Sequence, residues 1–136
     1  MSMTESRTQA FKVLYSMEMQ NDFDDESFKL FLEASEITKQ EQINYIKEII
    51  FGVKNNIEKI DGLISKNLLS SWKIERISKI NLSILRLGIY EMLYKETPFK
   101  VVINECVELA KEYGDDNSQN FINGVFASIV RDADLI

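Results

Sequence analysis

Apolar residues recur along this chain at helical spacing, with turn formers between the runs. Ala10, Val13, Leu14 and Met17 stand at i, i+3, i+4 and i+7, the stripe of a first helix over residues 4–20. Ser2 and Glu5 have the spacing of a capping box ahead of it. The polar run 21–25 stops that helix. Asp24 or Asp25 then caps a short second helix to residue 34, with Phe28, Phe31 and Leu32 as its apolar side. Thr38 and Glu41 form another capping box. Behind it Ile43, Ile46, Ile50, Val53, Ile57, Ile60 and Ile64 repeat at alternating spacings of 3 and 4, which predicts one long helix to residue 66. Gly52 and Gly62 lie inside it and cost helix propensity, so close approach of a neighbouring helix is the expected compensation.

Residues 68–73 read as a connection, with Ser70 and Ser71 suited to a turn and a cap. Residues 74–95 read as helix, with a break expected near Asn81. Ile77, Ile80, Ile84 and Leu87 form one stripe, widened by Leu85, Ile89, Met92 and Leu93. A helix apolar on most of its circumference belongs in the middle of a bundle. Thr97 as N-cap and Pro98 at the first helical position restart the chain. The next stripe is Phe99, Val102, Ile103, Cys106, Ala110 and Tyr113, with Gly114 as its stop. Residues 115–118 cap a last helix whose face is Phe121, Ile122, Val125, Phe126 and Ile129. The fold class is therefore all-α: six or seven helices in a compact bundle, in two halves, 1–66 and 67–136, sharing a core.

Composition narrows the chemistry. The 136 residues contain no histidine, one cysteine and one proline. That removes Ser-His-Asp and Cys-His catalysis, histidine-ligated zinc and any intrachain disulfide, and no cofactor is expected. Glycine-rich phosphate loops are absent as well. Cys106 lies on an apolar stripe without a base and reads as a core residue. Arg86 stands between Ile84, Leu85 and Leu87, and a buried arginine needs a carboxylate, for which Glu91 and Glu105 are the candidates. No apolar run reaches the length of a membrane span, and the N-terminus has no signal-peptide core, so a cytoplasmic protein with no membrane partner is expected. Net charge is −6, unevenly spread: residues 1–36 balance to −5 and residues 47–100 to +4. Solvated helix faces account for such a distribution without any ligand.

Several stretches together resemble the transcription antitermination factor NusB family. The most specific are ILRLGIYEML at 84–93, TPFKVVINECVELAKEYG at 97–114, and FINGV from Phe121. RTQAFKVLYSMEMQ from Arg7 and GVKNNIEKID from Gly52 agree more loosely. The resemblance implies a non-enzymatic helical protein that binds the boxA segment of nascent RNA together with NusE, a small-subunit ribosomal protein. That complex joins RNA polymerase and suppresses premature termination, notably of ribosomal RNA transcription. By position it implies RNA contacts at Arg7, Tyr15, Asn117 and Phe121, with Arg7 exposed. Packing is the alternative for Tyr15, beside the first stripe, and for Phe121, beside Ile122 and Val125. The NusE surface would include Glu75, Arg76 and Asn81, for which a plain solvated helix end is the alternative. Family members are monomers or dimers, which leaves a homodimer open.

One departure stands out. Family members often carry an arginine cluster before the first helix, whereas residues 1–6 hold Glu5 and no base. Fewer phosphate contacts mean weaker binding and a shallower salt dependence. RNA binding is therefore expected to depend on NusE. Two other readings compete: a helical module acting mainly through protein partners, with little RNA affinity, and the related domain that begins some ribosomal RNA cytosine methyltransferases. The latter would need a catalytic domain after residue 136.

Overall fold

A computed structural model describes residues 2–69 and 71–132. Among the described residues there are seven α-helices, one 3₁₀ turn and no strand, so the chain is all-α. It divides into two compact units, Met1–Asn55 and Asn56–Ile136.

The first unit holds α1 (Met3–Gln20), α2 (Asp25–Ala34) and α3 (Gln40–Asn55), with α1 packed on both α2 and α3. Its caps follow from the sequence. The Glu5 N–H donates to Ser2 Oγ at 3.1 Å, and the Ser27 N–H donates to Asp24 Oδ1 at 2.7 Å. Asn21 ends α1 in the left-handed region, which asparagine tolerates. The α1 stripe Ala10, Val13, Leu14 and Met17 is buried, and so is Phe11. In α2, Phe28 and Leu32 are buried and Phe31 is half-buried. The third helix starts one residue later than its capping box predicts, because the Lys39 carbonyl accepts the first helical bond, from the Ile43 N–H.

The expected long helix is two helices. Asn56 leaves the helical region at φ −120°, and α4 (Ile57–Lys66) restarts behind it. Asparagine is a weak helix former, and two stand together at 55 and 56. The unbroken isoleucine seam hid this break, because the periodicity resumes in phase. By its contacts α4 groups with the second unit, where it packs on the later helices, so the units divide eleven residues ahead of the 66/67 boundary drawn from the sequence pattern.

The second unit continues through a 3₁₀ turn at Ile74–Arg76 to α5 (Lys79–Tyr94), α6 (Phe99–Tyr113) and α7 (Ser118–Asp132). The break expected near Asn81 falls earlier. Ile77 is extended and Ser78 is the N-cap, its Oγ accepting from the Asn81 N–H at 3.1 Å. Pro98 sits at the N-cap of α6 rather than at the first helical position, its carbonyl accepting from Val101 and Val102. The expected turn at Ser70 lies outside the described residues.

Helix α5 packs against α4, α6 and α7, as its wide apolar surface requires. Arg86 pairs with Asp61 of α4, a carboxylate outside the two candidates: its Nε and Nη2 donate to the two carboxylate oxygens at 2.8 and 2.7 Å. Such a two-pronged, partly buried pair fixes orientation as well as distance. The close approach forecast for the glycines of the isoleucine seam is not found at Gly62, where an added methyl would meet nothing within 4 Å. It occurs at Gly88 of α5. A Cβ there would stand 2.4 Å from the ring of Phe126 and 2.9 Å from Cys106 Sγ. Cys106 is a buried core residue, its thiol 3.8 Å from the Ile84 carbonyl. Gly114 ends α6 in extended backbone rather than the left-handed region; a Cβ there would strike Ser118 and the Ala110 carbonyl.

Gly88→Ala should therefore destabilise the protein. Overpacking costs about 1–3 kcal/mol and the gain in helix propensity returns about 1 kcal/mol. Pairing it with Phe126→Leu should cost less than the sum of the two single changes, because the leucine vacates the contested space. Urea unfolding midpoints of the four proteins check both statements.

Candidate nucleic-acid interface

The residues that the resemblance assigned to RNA fall in both units. Arg7 and Tyr15 lie on α1 in the first unit; Asn117 and Phe121 lie at the start of α7 in the second. Arg7 is only 4% exposed, which corrects the expectation of an exposed cation. A buried guanidinium is held by the protein's own groups and is no longer a free lever for a phosphate. Tyr15 is half-buried, its ring stacked 6.2 Å from Phe11. Asn117 is exposed, and its N–H donates to Asp115 Oδ1 at 2.8 Å in a turn that leads into α7. The buried Ser118 Oγ accepts from the Asp115 N–H at 3.0 Å and locks that turn.

Helix α7 has two faces. Ile122, Val125, Phe126, Ile129 and Val130 point inward. Phe121, Gly124, Ser128 and Arg131 recur at helical spacing along the other side and line a cavity of about 480 Å³. Asn120 and Val125 of the same helix also line it, and the facing wall comes from Lys66, Asn67, Leu68, Leu69 and Trp72, where α4 ends and the chain turns. The Trp72 N–H donates to the Leu69 carbonyl at 2.8 Å and closes that turn. This leaves Leu69 75% and Trp72 48% exposed. The Trp72 and Phe121 rings stand 5.9 Å apart at 33°.

A polar network holds the cavity's rim. Asn67 Nδ2 donates to the Leu63 carbonyl at 2.8 Å and to Asp132 Oδ2 at 3.3 Å, while Asn67 Oδ1 accepts from Ser128 Oγ at 2.6 Å. Lys66 Nζ pairs with Asp132 Oδ1 at 3.2 Å. The hydrogen bond from Lys66, then that from Asn67, holds the Asp132 carboxyl below its ordinary value of 3.8. Among the described residues, the cavity wall carries two cations, Lys66 and Arg131, and no carboxylate. A cavity of about 360 Å³ in the first unit sets Lys39 beside Glu41, and one of about 390 Å³ near Pro98 includes Glu96. Neither sets an exposed aromatic ring beside two cations.

Trp72, Lys66, Gly124 and Arg131 were not singled out from the sequence. Trp72 carried a signal, as the one tryptophan and placed in a connection rather than on a stripe. The others carried none. Of the residues assigned to a protein partner, Glu75 and Arg76 are exposed on the 3₁₀ turn. Asn81 is 9% exposed, and its Oδ1 is buried without a hydrogen-bond partner. Among the described residues, no group of three or more metal-ligating side chains converges, and no helix is long and apolar enough to cross a membrane.

Fold and cavity define an all-helical protein with an aromatic pocket that carries two cations on its wall. Comparison with known proteins places it further. The model of the NusB family matches residues 4–131, and the chain belongs to that family. Transcription antitermination protein NusB of Clostridium botulinum (strain Alaska E43 / Type E3) is 46% identical over 128 residues, covering 93% of this chain and 96% of the relative. The T. maritima NusB structure superposes with a TM-score of 0.85 at 32% identity, covering 96% of this chain and 92% of that one. A crystal structure of antitermination factors NusB and NusE in complex with double-stranded RNA matches with a TM-score of 0.85 at 29% identity, over 95% and 96% of the two chains. The family is one of transcription antitermination factors and not of enzymes.

Acid should loosen the cavity rim. A carboxyl held below 3.8 contributes stability that is full above that value and is lost as pH falls through the lower folded value. In Asp132→Asn the contribution is missing at every pH. The thermal midpoints of wild type and variant should differ near neutrality and converge in acid.

Proposed function

We propose that this protein binds boxA-type single-stranded RNA together with the ribosomal protein NusE, and that the complex joins RNA polymerase to suppress premature termination of ribosomal RNA transcription. The observation that carries this reading is the cavity beside Phe121, whose wall sets two aromatic rings beside two cations, one of them paired with Asp132, in a chain of net charge −6. Single-stranded RNA is held by that combination: bases stack on rings and cations hold phosphates. Membership of an antitermination family supports it, as does the similarity to a NusB that binds NusE and RNA.

Within the second unit, Phe121 contributes its ring and Asn117 its exposed amide beside the same helix end. In the first unit, the half-buried Tyr15 is the proposed RNA contact, and Arg7 supports α1 from within rather than meeting a phosphate. NusE is proposed to meet the 3₁₀ turn through Glu75 and Arg76. Asn81, at the start of the next helix, carries a buried carbonyl oxygen still lacking a donor.

The bare N-terminal arm makes NusE necessary for useful affinity. Labelled boxA RNA should bind weakly to this protein alone and tightly when NusE is added, across a series of salt concentrations. Equal affinity without NusE would sink the partner dependence. Phe121→Ala should weaken RNA binding about tenfold, the scale of one lost stacking contact, with NusE binding unchanged. Arg76→Glu, at an exposed position, should weaken NusE binding about tenfold with no change in melting temperature.

A further inference from the structure

Gly124, like Gly62 of α4, is a helix glycine that packing does not explain, and of the two it is the one that lines the cavity beside Phe121. It stands in the middle of α7, where glycine weakens a helix, and a Cβ added there would meet nothing within 4 Å. Gly88 in α5 shows what a packing glycine looks like, with Phe126 and Cys106 pressed against it. Packing within the protein therefore does not require a glycine at 124. What its missing side chain leaves is room, and that room is the floor of the cavity shared with Trp72 and Phe121. A helix with its backbone laid bare under an exposed indole gives a flat ligand one ring to stack on and one side chain fewer to collide with.

We infer that this cavity is a subsite for one unpaired nucleobase, stacked on the exposed face of Trp72 with its edge over the bare α7 backbone at Gly124. The inference rests on the RNA-binding reading above and assigns Trp72 and Gly124 to it. Charge chooses the occupant. Lys66 and Arg131 stand on a wall that carries no carboxylate of its own, Lys66 being paired behind it with Asp132, so the phosphates flanking the base meet cations. The Trp72 and Phe121 rings, 5.9 Å apart and tilted, are too close to admit a base between them, so the base stacks on the outer face of Trp72. The Asn67–Ser128 bond and the Asn67–Asp132 bond hold the α4 end against α7, which keeps the cavity walls apart in a fixed way.

The test uses the full chain with NusE, with 5-fluorotryptophan incorporated in this chain alone so that its one tryptophan is the only reporter. The probes are boxA-type single-stranded RNA and a series in which each nucleotide in turn is made abasic. The intact RNA should shift the Trp72 fluorine resonance. One abasic position should abolish that shift and weaken binding about tenfold, the loss of a single stacked base. Gly124→Leu fills the floor and should cause a similar loss, after which the same abasic position no longer matters. Gly124→Ala should raise the melting temperature and cost less affinity than leucine, which separates the subsite from the fold. Trp72→Phe should retain more affinity than Trp72→Ala. Tight RNA binding that is indifferent to Gly124→Leu and to every single abasic site would overturn the inference and leave the proposed function standing. The same fluorine shift produced by NusE without RNA would assign the cavity to the protein partner and overturn it too. No RNA binding even with NusE present would remove the proposed function and the subsite together.

Discussion

The second unit depends on the absence of one methyl group. Helix α5 lies against α4, α6 and α7, and at Gly88 the Phe126 ring of α7 and the Cys106 thiol of α6 both occupy the space a side chain would take. Interiors are packed closely enough that such a contact fixes a helix in rotation as well as distance. Phe126 points into α5, and with it Ile122 and Ile129 turn inward. The opposite side of α7, bearing Phe121, Gly124, Ser128 and Arg131, must then turn outward. The composition of the cavity wall is thus a consequence of the packing at Gly88 and of the helical repeat.

The Arg86–Asp61 pair settles α4 in the same way. Two parallel hydrogen bonds between a guanidinium and a carboxylate leave little freedom in the angle between the helices. With α4 held on α5, its last turn delivers Lys66 and Asn67 to the α7 side of the cavity, where Asn67 meets Ser128 and Asp132. The bend that follows, closed by the Trp72 N–H on the Leu69 carbonyl, swings the indole back over Phe121. Each step is local, yet together they place on one wall residues more than sixty positions apart in the chain.

Local physics explains what was readable in the sequence. Stripes at 3.6-residue spacing, caps at Ser2 and Asp24, and the apolar circumference of α5 all depend on near neighbours, and each appears in the structure. The family resemblance supplied Phe121 and Asn117 on the second unit. The failures are tertiary. Asp61 was not among the candidate partners of Arg86, because only the packing of α4 brings it within reach. Arg7, expected to be exposed, is buried beside Ser6, one turn into a helix whose first residues are exposed. The helix break at Asn56 was masked because the isoleucine repeat continues across it in phase. Among glycines, Gly88 and Gly124 read alike as letters, and one has no room while the other has no neighbour.

Net charge shows why a global count is a poor guide to a binding surface. A chain at −6 repels a polyanion at long range, but screening reduces that field beyond about 8 Å at physiological ionic strength. Contact energies depend on the groups within that distance: Lys66 and Arg131 on the cavity wall, and Asp132, whose charge is engaged by Lys66 and Asn67. The acidic surplus of residues 1–36 lies on the other unit's helices. On the proposed function, such a surface holds an RNA that has already arrived better than it attracts one from a distance. A basic partner that raises the encounter rate is therefore the physical complement of this chain, which is the role the proposed dependence on NusE assigns.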